Sequence, residues 1–321
     1  MKKQQWIVFL LLALLLSFFF FPDTCFKGAK NGLNLWFFTI IPSLLPFLIV
    51  SNLILHLNLL CYLTPILAPV FKKFFPVSEA GCYPILIGML SGYPMGAKAC
   101  ADLVRNKSIS KNEGQHLLSF VNNASPMFIT SFIATQSLAL PSLSYIFYGI
   151  ILTSSYLCNI LSWIFFFRRE VPGTYTQSPK KASSSTQKVN MAAALDSSIL
   201  NSFITITKIG GFIILFSILG EFVLLLPDTL SMFRYLLLCM VEITTAIHFV
   251  SQSPYSVQTK IILTLATTTF GGLSGLFQTQ SVIAGSGLSL KHYILTKLLQ
   301  TLLVLFEIFL LKQTGILSFS M

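Results

Sequence analysis

Apolar residues in this chain come in long runs that polar or Pro/Gly-rich breaks interrupt. After Lys2 and Lys3, a sixteen-residue run covers 6–21 and ends in four phenylalanines. It has no small-residue cleavage site, so it predicts an uncleaved first span with a cytoplasmic amino terminus. A second run, 33–55, carries Pro42 and Pro46, which remove backbone donors and predict a kinked or broken helix. The run 59–71 holds Pro65 and Pro69, ends at Lys72-Lys73, and is too short for a comfortable crossing. Residues 81–104 are apolar but punctuated by Gly81, Pro84, Gly88, Gly92, Pro94 and Gly96. Irregular backbone of that kind persists at membrane depth only inside protein or beside a wet cavity.

A polar stretch at 105–116 follows, and then 117–135 predicts a span interrupted at Asn122-Asn123-Ala124-Ser125-Pro126. Residues 143–167 predict a full-length span closed by Arg168-Arg169. The clearest composition shift is 168–194, with five cations against Glu170 and a triple-serine run, which reads as a flexible cytoplasmic loop. Further apolar segments lie at 199–226, 235–250, 261–285 and 293–311. The chain therefore divides into a signal-anchor span and loop (1–30), a first membrane half (31–167), the basic linker (168–194) and a second membrane half (195–321).

Composition explains the pattern: 54% of the 321 residues are hydrophobic and 10% charged, with a mean hydropathy of +0.78. A soluble domain carries roughly a quarter charged residues. An ordinary soluble enzyme is excluded, the lipid bilayer is the solvent, and the length allows roughly eight to ten transmembrane or re-entrant helices. The net charge of +11 comes from Lys/Arg clusters beside apolar runs, as the positive-inside bias produces, and no basic-aromatic stripe suggests nucleic acid. Six cysteines without a CxxC spacing and four scattered histidines suggest no metal site and no cofactor. No HExxH, GxSxG, Walker loop or GxGxxG is present, so no enzyme is expected.

A weak internal repeat connects the halves. Ile87-Gly88-Met89-Leu90-Ser91-Gly92 is echoed by Phe270-Gly271-Gly272-Leu273-Ser274-Gly275, and 39–51 can be laid over 205–217. With the amino terminus and linker both inside, corresponding spans run in opposite senses. That is the inverted-repeat arrangement of many secondary transporters, whose sites lie near the midplane between broken helices. Accidental similarity between closely packed Gly-rich helices is the alternative.

Three stretches carry a resemblance to a known family: Asn34-Leu35-Trp36 leading into Ile41-Pro42-Ser43-Leu44-Leu45-Pro46-Phe47; Ser91-Gly92-Tyr93-Pro94-Met95-Gly96-Ala97-Lys98; and Phe120-Val121-Asn122-Asn123-Ala124-Ser125-Pro126. Together they resemble the sporulation integral membrane protein YlbJ family. Lys208-Ile209-Gly210-Gly211-Phe212 and Phe270-Gly271-Gly272-Leu273-Ser274 are similar to the nucleoside-recognition gate segments found also in spore maturation proteins SpmA and SpmB and, distantly, in concentrative nucleoside transporters. The resemblance implies a polytopic cell-membrane protein tied to spore cortex formation, with a transport role. It leaves open a homo-oligomer or sporulation membrane partners.

Candidate binding residues follow from the breaks. Ser91, Gly92, Tyr93, Pro94 and Lys98 combine free backbone groups, an aromatic hydroxyl and a cation near a helix start; the plain alternative is a tightly packed turn with Lys98 paired to Asp102. Asn122, Asn123 and Ser125 offer donors and acceptors without buried charge, or simply bond neighbouring helices. Gln278, Gln280 and Ser281 would face them from the second half. Glu242 is the candidate for proton coupling, because a mid-span carboxylate is costly and functional by default. Lys208 and Glu221 lie nearer the ends of their span and read as interfacial or paired, and Glu307 as touching a neighbouring helix or functional. The reading is an all-α polytopic membrane protein of two inverted, broken-helix halves. It would act as a transporter or flippase-like permease for a small polar or headgroup-bearing solute; a non-transporting scaffold for the spore envelope is the alternative.

Overall fold

A computed structural model describes residues 2–57, 59–167 and 191–314. The basic linker lies outside the described residues as far as residue 190, as do residues 1, 58 and 315–321. Regular structure among the described residues is entirely helical, and the protein is a multi-pass, all-α membrane protein. Four stretches are long and apolar enough to cross a bilayer: Pro141–Phe165, Met191–Leu224, Val257–Ile283 and Leu290–Gln313. A fifth arises if Leu11–Phe20 and Pro22–Ile40, bent by 105°, count as one. Many of the remaining apolar segments are half-length helices.

Helices α1 (Lys2–Phe20) and α2 (Pro22–Leu35) meet at that bend, where Pro22 opens α2 without needing an N–H partner. A π-helical turn, Trp36–Ile40, leads into α3 (Ile41–His56). The two prolines were expected to kink or break this run. The helix instead continues with Pro46 inside it, and the preceding turn is widened, Ile41 N–H reaching back to Trp36 O. Widened turns are a common way to absorb disrupted helical bonds. Next come α4 (Leu60–Phe74), α5 (Cys82–Ser91), α6 (Met95–Arg105), α7 (Lys111–Leu118), a π-helix (Phe128–Ser137) and α8 (Ser144–Ser162). The second half holds α9 (Met191–Leu224), α10 (Ser231–Val241), α11 (Ile243–Gln252), α12 (Val257–Phe270), α13 (Gly272–Ile283) and α14 (Leu290–Gln313).

Two long antiparallel pairs join the halves. Along α2, α3 and α9, Gly28 faces Ile218, Gly32 faces Ile214 and Ser217, Trp36 covers Gly210, and Asn52 Nδ2 donates to Ser202 Oγ at 2.8 Å. A Cβ on Gly28 or Gly32 would lie 2.6 or 2.8 Å from the Cα of Ile218 or Ile214, so only glycine lets the two backbones approach. Helices α8 and α14 run antiparallel as well: Thr153 meets Glu307, Ser154 meets Gln300, and Cys158 meets the Thr296 carbonyl.

Four helices break between these pairs. Gly92 (φ 72) and a cis Tyr93-Pro94 bond separate α5 from α6, and residues 119–126 separate α7 from the π-helix. Extended Glu242 separates α10 from α11, and left-handed Gly271 (φ 91) separates α12 from α13. Positive φ at the two glycines is a conformation that a side chain would strain. Breaks abut within each half: Tyr93 N–H donates to Asn123 O at 2.6 Å, and a Cβ on Gly272 would lie 3.3 Å from Val241 O. Large apolar side chains such as Phe38, Phe165, Leu302 and Phe306 are exposed, as a surface solvated by lipid requires.

Candidate functional site

Helix α6 starts at the Gly92–Pro94 break and α13 at the Gly271 break, and α13 packs against both α6 and α9. Residues of the three helices line an open cavity of about 210 Å³. From α6 and its start come Pro94, Lys98 and Arg105; from α9, Thr205, Lys208, Ile209 and Phe212; from α13, Gln278, Ser281 and Val282. Candidates from both halves of the sequence therefore meet: Pro94, Lys98, Gln278 and Ser281 share one wall. Lys208, exposed on α9, lines it too. Helix α9 begins at Met191, well before the apolar run, which puts Lys208 at the helix midpoint.

The remaining candidates are placed differently. Asn122 is fully buried beside the cavity: Nδ2 donates to Tyr293 Oη (2.8 Å) and Thr279 Oγ1 (3.1 Å), while Oδ1 accepts from Ala97 N–H (3.3 Å). It ties the 119–126 break to α6, α13 and α14 at once. Asn123 Nδ2 donates to Ser155 Oγ (3.0 Å) and Phe120 O (2.7 Å). Ser125 Oγ accepts from Phe128 N–H (3.2 Å) and so caps the helix that follows. Ser91 and Gly92 are buried at the break itself, and the buried Tyr93 Oη has no hydrogen-bond partner among the described residues. Gln280 is exposed and lies outside the cavity wall.

Glu242 is 3% exposed and caps α11, its Oε2 accepting from Thr245 N–H and Thr244 Oγ1, each at 2.7 Å. A carboxylate at a helix amino terminus is stabilised by the unpaired N–H groups there. Glu221 is paired, as its position suggested: Lys27 Nζ lies 3.1 Å from Oε2 and Asn31 Nδ2 donates to Oε1 at 2.7 Å. Glu307 accepts from Thr153 Oγ1 of the neighbouring helix at 2.6 Å. Cys25, Cys82, Cys100, Cys158 and Cys239 are free and buried, and no group of three metal-ligating side chains occurs among the described residues.

One buried charge escaped the sequence reading. Lys297, on α14, is 1% exposed and donates to Asn123 Oδ1 (3.0 Å) and Gln300 Oε1 (2.9 Å), with its Nζ 5.8 Å from the centre of the Tyr293 ring. No carboxylate pairs with it among the described residues. Tyr293, Lys297 and Gln300 recur at helical spacing, so one polar stripe runs down an otherwise apolar helix. That periodicity was the available signal. Outside the spans, the buried His116 of α7 has its imidazole pushed down to about 4 by burial.

Comparison with known proteins agrees with this architecture. The sporulation integral membrane protein YlbJ of Bacillus subtilis (strain 168) is 30% identical over 328 aligned residues, covering 89% of this chain and 79% of that protein. No protein-family model and no solved structure matches. Identity at that level, over most of both chains, is enough to conclude that this chain belongs to the family of the sporulation integral membrane protein YlbJ.

Proposed function

We propose that the protein is a permease that moves a small polar or headgroup-bearing solute by alternating access around the α6–α9–α13 cavity, in the service of sporulation. The observation that carries this reading is the convergence of Lys98, Lys208 and Gln278, far apart in sequence, on one cavity walled by two broken helices and the middle of α9. Broken helices facing a midplane cavity are the common plan of secondary transporters. With the amino terminus and the 168–194 linker in the cytoplasm, α2–α3 and α9 cross in opposite senses, in accord with their antiparallel packing. The pairing of breaks favours an inverted repeat in which α5–α6 corresponds to α10–α11, and 111–137 to α12–α13. That correspondence is one broken helix removed from the Gly-Leu-Ser-Gly echo.

The same geometry bears on coupling and on substrate. Glu242 has a structural use as a helix cap, whereas Lys297 is a buried charge with no carboxylate beside it among the described residues; Lys297 is the better candidate for a group whose charge changes during transport. Its titratable neighbours are Tyr293 on its own helix and Cys158 on α8. Nucleoside recognition would have to use Gln278 and Ser281, since the Asn122 amide is already bonded on both sides.

Alanine at Lys98, Asn122 and Gln278 together tests the reading, with restoration of sporulation in a Bacillus subtilis strain lacking YlbJ as the readout and the unaltered chain as control. Loss of restoration at normal protein level supports the cavity. Full restoration by the triple variant contradicts it and favours the scaffold reading, in which loop or surface changes matter instead.

A further inference from the structure

We infer that the cavity takes a phosphomonoester, carried by a small soluble solute or by a lipid headgroup. This rests on the reading of the cavity as the solute site and adds the ligand class. Three cations line the cavity, and the nearest acid is Asp102. That carboxylate lies 2.8 Å from Arg105 Nη1 but 3.8 Å from Lys98 Nζ, so it answers chiefly the guanidinium. Arg105 Nη2 is also engaged, donating to Val282 O (2.6 Å) and Ala284 O (2.7 Å). Arg105 therefore ties the ends of α6 and α13 together and is not free to grip a ligand.

Lys98 and Lys208 are left to do so. Lys208 makes no hydrogen bond or ion pair among the described residues, and it is the eighteenth residue of the 34-residue α9, roughly 25 Å from either end at the helical rise. An ammonium within an apolar run is expensive to keep, and such residues commonly face a bundle interior or wet cavity and mark a substrate path. Lys208 is exposed and lines the cavity. Two ammonium groups from different helices, with the third cation neutralised by Asp102, match the charge of about −1.5 to −2 that a phosphomonoester carries near neutral pH. A carboxylate or a phosphodiester would leave one lysine unanswered. The Gln278 amide adds a donor: its Nε2 uses one hydrogen on Ser274 Oγ (3.1 Å) and keeps the other. At about 210 Å³ the space lies below the usual range of about 300–1,000 Å³ for drug-sized ligands and suits a headgroup or a small ester.

The test uses the full chain in phosphatidylcholine nanodiscs, with Trp6 and Trp163 replaced by phenylalanine so that Trp36 alone reports. Trp36 lies on Gly210, two residues from Lys208. Glycerol 3-phosphate, phosphatidic acid added to the nanodisc, and uridine are the three probes. A saturable change in Trp36 fluorescence with glycerol 3-phosphate, weakened tenfold or more by Lys208→Gln and by Lys98→Gln, supports the inference with a soluble ligand. The same lysine-dependent change with phosphatidic acid alone supports it with a lipid source. Equal affinity for the phosphomonoester in both lysine variants overturns it. A response to uridine with none to either phosphomonoester overturns the ligand class while leaving the cavity as solute site, and silence toward all three probes overturns both.

Discussion

Lys297→Met separates structural from functional use of a buried charge. Methionine keeps the length and most of the volume of the lysine stem but removes the ammonium. Two effects oppose each other. Relief of an ammonium at membrane depth is worth about 2.5–3.5 kcal/mol on insertion scales. Against it, Gln300 Oε1 loses the donor it has at 2.9 Å, and a buried acceptor left unmet costs about 1–3 kcal/mol. Asn123 Oδ1 is not orphaned, because Gln300 Nε2 still reaches it at 2.9 Å. The two nearly cancel, so the net change in stability is expected to stay within about 2 kcal/mol of zero, as when other buried charges are exchanged for apolar residues of similar size. Thermal unfolding in nanodiscs measures that change, and restoration of sporulation in the strain lacking YlbJ measures function. A folded variant that fails to restore is the expected result. A variant that restores fully refutes a functional role for the charge, and one that loses its fold outright refutes the balance of terms.

Further expectations concern packing and pH. Gly88→Ala places a Cβ against the Val121 carbonyl of the neighbouring break, so it is expected to lower the unfolding midpoint as overpacking does, by about 1–3 kcal/mol or more, whereas Gly149→Ala, with nothing within 4 Å, is expected to be neutral or stabilising. Gly210→Ala displaces the Trp36 ring and is expected to alter Trp36 fluorescence as well as stability. His116, held down to about 4 against an ordinary 6.5, favours the neutral imidazole in the folded protein. Its contribution is full above 6.5 and is lost as pH falls toward 4, by roughly 3 kcal/mol at most; His116→Gln is expected to flatten thermal stability across that window.

Much of this architecture was legible because backbone breakers state their own position. Gly92 and Gly271 adopt positive φ where Gly/Pro and Gly-Gly stretches interrupt apolar runs, and the interruption at 122–126 is the gap between α7 and the π-helix. Pro46 misled, since a widened turn upstream lets the helix continue around it. Glu242 was legible as a buried carboxylate but not as a cap, because nothing in 235–250 marks a break except the residue that makes it. The cavity was half legible. Lys98, Gln278 and Ser281 stood beside visible breaks, whereas Lys208 and Thr205 sit on an unbroken helix whose partners only the tertiary structure supplies. Lys297 was overlooked for a similar reason: a single lysine in an apolar run reads as tolerable until Asn123 and Gln300 are seen to surround it.

The central claim is that a wet cavity reaches the middle of α9. Single cysteines at 98, 208 and 281, in a chain whose own cysteines are replaced by alanine or serine, test it most directly in intact membranes with a charged, membrane-impermeant thiol reagent. Positions 302 and 306, which are exposed and apolar on α14, serve as lipid-facing controls. Rapid labelling at 98, 208 and 281 with none at 302 and 306 is the expected result. Labelling at the control positions at the same rate, or an unreactive cysteine at 208, would contradict the account.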